Sequence, residues 1–219
     1  MYSRNIEFEK LLETNPILVK STRIISKLAK ENSSIPFYEE HFIPCAKICF
    51  EMSDIKRINK IDAILTGLFH DVGKFMLKGE IDNHEIIGAE YAEDFLRENN
   101  YKETKIQLIK HAIMNHRKNA NDAFDEMSKL IINSDIISYI LHKKYFFEYL
   151  LKFANEDEAS KTINKKISDS YERMDEDGKR MIFDLLIQLI WIFIIHKRYI
   201  LYQYFENRYN CCKNYFLLI

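Results

Sequence analysis

Glycine and proline are scarce, 5 and 3 in 219 residues. Sandwiches and barrels need many tight turns, so this scarcity excludes an all-β architecture, and it excludes a linker-rich chain as well. An excess of charge of one sign is also missing. Lys+Arg 32 against Asp+Glu 33 leave a formal charge of −1, so no global basic field draws nucleic acid to the protein, though a local basic groove stays open. The four cysteines are Cys45, Cys49, Cys211 and Cys212, with no CxxC pair among them. A chain long enough to build its own core has little need of a disulfide framework, which predicts a reducing, cytoplasmic setting. The N-terminus is charged and has no apolar h-region, so no signal peptide is expected. The longest apolar run, residues 182–195, falls short of the roughly 20 residues that a membrane span requires. It predicts a buried core or interface helix.

What is present is helical periodicity. Asn15-Pro16 reads as a cap with proline at the first helical position, opening a helix to about Glu31. After a break at Ser33-Ser34-Ile35-Pro36, a second helix carries His41, Ala46, Cys49 and Phe50. Asn59 caps a third, with Ile61, Ile64, Leu65, Leu68 and Phe69 at helical spacing and Gly73 as a terminator. Residues 74–83 read as irregular. Further helices start near Asn83 and Lys102, and another runs through Met127, Leu130, Ile131 and Ile137. No segment alternates as a strand does, so the class is all-α. The expected organisation is a helical N-terminal segment over 1–34, a core over 35–145 and a helical extension over 146–219.

The chemistry-bearing residues are histidines and acids. His70-Asp71 ends an apolar helix, His41 lies one helix earlier, and His84 and His116 follow on later helices. Asp135 stands inside the apolar run IINSDIISYI. A carboxylate there is costly to bury unless it is paired or bound to a metal. Imidazole with carboxylate suits divalent transition metals and leaves coordination positions for water. Each residue has a plainer reading too: His41 as a surface histidine beside Glu39-Glu40, Asp135 as a turn residue, Lys74 as a solvated loop lysine. His41, Cys45 and Cys49 fall at i, i+4 and i+8, but one straight helical stripe cannot surround a tetrahedral ion. His70 and Asp71 are neighbours, and on a continuous helix they would point about 100° apart. They can share one ion only near a helix end.

The order His41, His70-Asp71, Asp135 resembles the H…HD…D signature of the HD-domain metal-dependent phosphohydrolases. GLFHDVGK resembles the HDIG subtype sequence, NHEIIGAEYA that subtype's next helix, and KHAIMNH its "AI..H" segment, in the family's order over about residues 35–145. The resemblance implies an all-α HD-domain helical bundle with additional C-terminal helices. It implies that His41, His70, Asp71 and Asp135 hold a first metal, and that Asp71 bridges to a second completed by His84 and His116. Asp71 and Lys74 would be catalytic. Lys74, His111 and Arg117 would meet a phosphorylated substrate. His111 competes with His116, and the "AI..H" match selects His116.

The implied reaction is hydrolysis of a phosphomonoester or phosphodiester, with a nucleotide as the expected small-molecule substrate. One or two divalent ions would serve, with Fe, Mn, Ni, Zn and Mg all compatible with such N/O donors. Three features depart from the pattern: Arg117-Lys118 follows His116, no GYP-type extension is present, and Asn133 occupies the place of an acid two residues before Asp135. The same ligands also fit a di-iron HD-domain oxygenase, or a non-catalytic nucleotide-binding module. The C-terminal run YILYQYFENRYNCCKNYF is rich in aromatic and basic residues, a pattern that nucleic acid could use, though a packed amphipathic helix is the commoner outcome. Apolar residues cover the 182–195 run almost all round, which predicts a homodimer with Trp191 at or near the interface.

Overall fold

The computed structural model describes residues 2–32, 38–76 and 83–187. Its helices are α1 (Tyr2–Thr14), α2 (Pro16–Asn32), α3 (Ile43–Lys56), α4 (Lys60–Phe69), α5 (His84–Glu98), α6 (Glu103–Asn115), α7 (Glu126–Leu141), α8 (Lys143–Leu150) and α9 (Glu156–Glu172). A π-helical turn (Tyr38–Phe42) enters α3, and 3-10 turns occupy Val72–Phe75 and Ala120–Asp122. No strand occurs among the described residues, as an all-α class requires. Residues 1–178 form one compact unit and 179–219 a second, of which 179–187 are described and helical. The break at 33–36, Trp191, His196, Cys211 and Cys212 lie outside the described residues, as does all of the 182–195 run beyond residue 187. Among the described residues no helix is long and apolar enough to cross a membrane.

Helix starts follow side-chain chemistry. The Asn59 carboxamide oxygen accepts from the N–H groups of Ile61 and Asp62, Asp125 accepts from Ser128, and Asn155 with Glu158 closes a reciprocal capping box. Every residue of α4 from Asp62 to Phe69 is buried, so α4 is the central helix. It packs against α2, α3, α5, α6 and α7. Its neighbour α3 comes close because Gly67 has no side chain: a Cβ there would lie 2.6 Å from Ala46 Cα. The Asp62 carboxylate accepts from Tyr101 Oη at 2.6 Å and pairs with Lys105, tying the start of α4 to the start of α6. Around this frame Phe8, Leu18, Phe42, Phe50, Leu68, Phe69, Leu96 and Ile106 pack into one core. Truncating such side chains to alanine costs about 2–5 kcal/mol each.

Gly73 differs from its expected part. It does not adopt the left-handed conformation of a helix terminator. Instead the chain leaves α4 through the 3-10 turn, and Gly73 lies against the first turn of α5. A Cβ on Gly73 would sit 2.1 Å from the His84 carbonyl oxygen and 2.8 Å from the Gly88 nitrogen. This close approach sets the distance between the end of α4 and the start of α5.

Candidate metal centre

Five of the expected residues sit where helices begin or end. His41 lies in the π-helical turn before α3. His70 is the last residue to close an α4 hydrogen bond, and Asp71 departs from helical geometry at φ −110 and ψ 7. That departure removes the 100° divergence of consecutive helical residues. His84 opens α5 behind Asn83, whose φ of 69 turns the chain sharply. His116 closes α6. Asp135 lies within α7, so Asn133-Ser134-Asp135 is helical rather than a turn.

These elements bring the side chains into two overlapping groups. The donor atoms of His41, His70, Asp71 and Asp135 lie within 4.8 Å of one another, and so do those of Asp71, His84 and His116. Asp71 belongs to both. Its Oδ2 is 3.0 Å from His41 Nε2 and 3.4 Å from His70 Nε2, while its Oδ1 is 3.1 Å from His84 Nε2 and 3.4 Å from His116 Nε2. Asp135 Oδ1 stands 3.4 Å from His41 Nε2 and 3.5 Å from His70 Nε2. Lys74 Nζ pairs with Asp71 Oδ2.

The donor set suits a cation. His70 Nδ1 lies 2.8 Å from the Gly67 carbonyl oxygen and His116 Nδ1 2.7 Å from that of Ile113. A carbonyl only accepts, so each Nδ1 carries its proton and donates it. In the neutral ring Nε2 then presents a lone pair to the cluster. Such a partner on the far nitrogen is the usual orienting contact of a ligating histidine. Asp71 Oδ1 is buried and accepts no hydrogen bond, although two imidazole nitrogens stand close to it.

Electrostatics agree. Burial pushes the Asp71 carboxyl up, but Lys74 and His70 together hold it well below the usual carboxylate range. Burial likewise opposes ionisation of Asp135, and His70 and His41 outweigh it. Burial lowers the pKa of His70, yet the Asp71 and Asp135 carboxylates raise it to about 10, whereas burial prevails at His41 and lowers its pKa. Asp71 and Asp135 thus stay ionised, and positive charge beside them, on Lys74 and His70 or on an ion in their midst, is what holds them so.

His111 is not part of the cluster: it is half exposed and its Nδ1 pairs with Asp125 Oδ2 at 2.9 Å. Arg117 is also half exposed and stands 3.6 Å from Glu85. Glu85 was not singled out from sequence, since an acid in the first turn of a helix is ordinary. Its Oε2 lies 3.4 Å from His84 Nδ1, which places it to orient that ring. Asn133 faces away from the cluster, donating to Asp175 Oδ1 at 2.7 Å and accepting from the Asp175 N–H at 3.2 Å. No spacing rule links residues 42 positions apart, so sequence carries no sign of that contact. His142 is partly exposed and lies 3.4 Å from Glu40.

Comparison with known proteins bears on the same region. The family model described as HD domain matches residues 38–182. An uncharacterized protein of Clostridium beijerinckii (strain ATCC 51743 / NCIMB 8052) is 27% identical over 116 residues, covering 49% of this chain and 74% of the relative. The crystal structure of a "predicted HD superfamily hydrolase" from an uncultured Thermotogales bacterium superposes with a TM-score of 0.56 at 18% identity. That match covers 86% of this chain and 97% of the other, and it establishes a common fold. With the family match extending over most of the chain, and with His41, His70-Asp71 and Asp135 gathered at one centre, the chain belongs to the HD-domain family.

Proposed function

We propose that the protein is a metal-dependent phosphohydrolase that cleaves a phosphomonoester or phosphodiester, with a nucleotide as substrate. The observation that carries this reading is the two-faced environment of Asp71, one carboxylate oxygen toward His41 and His70 and the other toward His84 and His116. His41, His70, Asp71 and Asp135 would hold one divalent ion, and Asp71, His84 and His116 a second. When bound, such ions supply an acidified water as nucleophile and neutralise charge on phosphoryl oxygens. Asp71 joins the two ligand sets and keeps them in register. The carbonyl oxygens of Gly67 and Ile113 keep the rings of His70 and His116 oriented. Lys74 is about one-third exposed, unlike the buried histidines, so its ammonium can meet a substrate phosphate at the solvent edge while still touching Asp71. The hydrolase name of the Thermotogales neighbour supports the reaction class.

The test is metal-stripped protein reloaded separately with Mn, Fe, Ni, Zn or Mg. It is screened against nucleoside mono-, di- and triphosphates, cyclic dinucleotides, and short RNA and DNA. Asp71→Ala should lose bound metal at both positions together with turnover, whereas His84→Ala should lose one equivalent. Equal metal content in Asp71→Ala and wild type overturns the assignment. So does oxygen consumption by the iron-loaded protein with no phosphoester cleaved. A cytoplasmic homodimer belongs to the same proposal, and light scattering in detergent-free buffer tests the dimer.

A further inference from the structure

The cluster is closed on most sides and open on one. The side chains of its histidines and of Asp71 are at most 4% exposed, while Asp135 is 25% and Lys74 35% exposed. Two cations from the C-terminal part of the unit stand by this edge. Lys166, on α9, places Nζ 4.1 Å from the centre of the Tyr139 ring and 5.8 Å from that of Phe146. Phe146 in turn packs edge-on against His41, with ring centres 5.7 Å apart. Arg173, just after α9, donates from Nη2 to the His116 carbonyl oxygen at 3.1 Å, and from Nε and Nη2 to that of Lys118. A guanidinium has five donors, so the two on Nη1 remain for another acceptor.

Neither cation forms an ion pair with a carboxylate of the described residues, though both lie within the field of Asp135. Burial draws the pKa of Lys166 down, as expected of a cation partly stripped of water without a matching anion. Together with Thr162, Lys165, Asp169 and Ser170 they line a recess of about 410 Å³, within the size range of small-molecule sites. Among the described residues three cations against one carboxylate make this lining positive. The plain alternative is that Lys166 is a solvated lysine and Arg173 only staples the chain after α6.

We propose that Lys166 and Arg173 form an anion subsite beside the metal centre, which holds a second phosphate of the substrate and favours a nucleoside di- or triphosphate over a compound with one phosphoryl group. The inference rests on the hydrolase reading for the position of the first phosphoryl group. Charged, forked donors such as arginine suit phosphate oxygens, and a nearby ammonium adds a point charge.

Calorimetry on the metal-loaded full chain separates the possibilities, with methylenediphosphonate as a non-hydrolysable diphosphate and methylphosphonate as its single-group counterpart. Wild type should bind the diphosphonate more tightly. Lys166→Glu should weaken that binding by about tenfold, equivalent to about 1.4 kcal/mol, and leave methylphosphonate unchanged. Lys161→Ala, on the same helix but outside the recess, should match wild type for both. With a nucleoside triphosphate as substrate, Lys166→Ala should raise KM and leave kcat unchanged, while KM for p-nitrophenyl phosphate stays constant. Equal diphosphonate affinity in wild type and Lys166→Glu overturns the subsite, even if turnover is intact. If wild type cleaves no phosphoester yet Lys166→Glu still loses diphosphonate, the hydrolase reading fails and the subsite stands. Among the described residues Lys166 Nζ donates no hydrogen bond to backbone and lies instead over the rings of Tyr139 and Phe146, so its variants keep the test independent of the stapling contacts of Arg173.

Discussion

Replacing Gly73 by alanine should separate the two halves of the metal centre. The added Cβ would lie 2.1 Å from the His84 carbonyl oxygen, and ordinary contact begins at 3.4 Å, so the end of α4 and the start of α5 must part by about 1.3 Å. Both obstructing groups are backbone, and no rotamer change relieves them. Overpacking of this kind costs about 1–3 kcal/mol, and the upper end applies where backbone meets backbone. The functional consequence is larger. Asp71 lies two residues before Gly73, and its Oδ1 stands 3.1 Å from His84 Nε2. Metal–ligand distances tolerate only about 0.2 Å, so a shift of this size removes His84 from any ion shared with Asp71. Metal-to-protein ratio after desalting should therefore fall by one equivalent, and guanidinium unfolding should lose about 3 kcal/mol. Gly88→Ala is the contrast. Its Cβ would meet Gly73 N at 3.2 Å and other atoms at 3.5 Å or more, a misfit of a few tenths of an ångström. Alanine in a helix gains about 1 kcal/mol over glycine, so Gly88→Ala should be near neutral. A Gly73→Ala protein with full metal content, and stability within about 0.5 kcal/mol of wild type, would refute this account of the α4–α5 junction.

Three further outcomes follow from the ion pairs and polar contacts. Asn133→Asp places a second carboxylate 2.7 Å from Asp175 Oδ1 in a buried site, and should cost about 3 kcal/mol at neutral pH. The introduced acid has a raised folded pKa, so its penalty shrinks as pH falls, and urea melts of variant and wild type should converge toward pH 5; a pH-independent difference would point to packing instead. Lys56 is buried and donates to Asp175 at 2.8 Å and Asp177 at 2.7 Å. Lys56→Met leaves those acids without their cation and should destabilise by about 3 kcal/mol, whereas a loss under about 1 kcal/mol in denaturant melts would show the acids to be solvated. Lys110, Arg97 and Gln107 hold the Glu93 carboxyl down to about 2. Its stabilisation is present above the ordinary glutamate pKa and fades as pH falls toward 2, so Glu93→Gln should flatten the acid limb of the stability curve by at most about 1 kcal/mol; an unchanged acid limb counts against the pair.

Sequence alone determined the class and the identity of the cluster. Few glycines and prolines, apolar residues at helical spacing and caps such as Asn59 are local properties, and each acts within one turn of chain. The motif at His70-Asp71, with His41, His84, His116 and Asp135 in order, named the residues that the structure gathers around Asp71. Tertiary structure decided what local chemistry does not encode. Gly73 reads as a terminator because glycine commonly ends helices, yet its work is to admit the His84 carbonyl, a contact with another element. His111 and His116 are alike in sequence, but the course of α6 leaves one beside Asp125 on the surface and buries the other near Asp71. Lys165 and Lys166 look like any solvated pair on a helix, and only the packing of α9 against α7 and α8 brings Lys166 over Tyr139 and Phe146 beside His41. Which residues carry the chemistry follows from residue type and local spacing. Which of them share one ion or one substrate follows from distances between helices, and those are set by side-chain volumes and backbone approaches far apart in the chain.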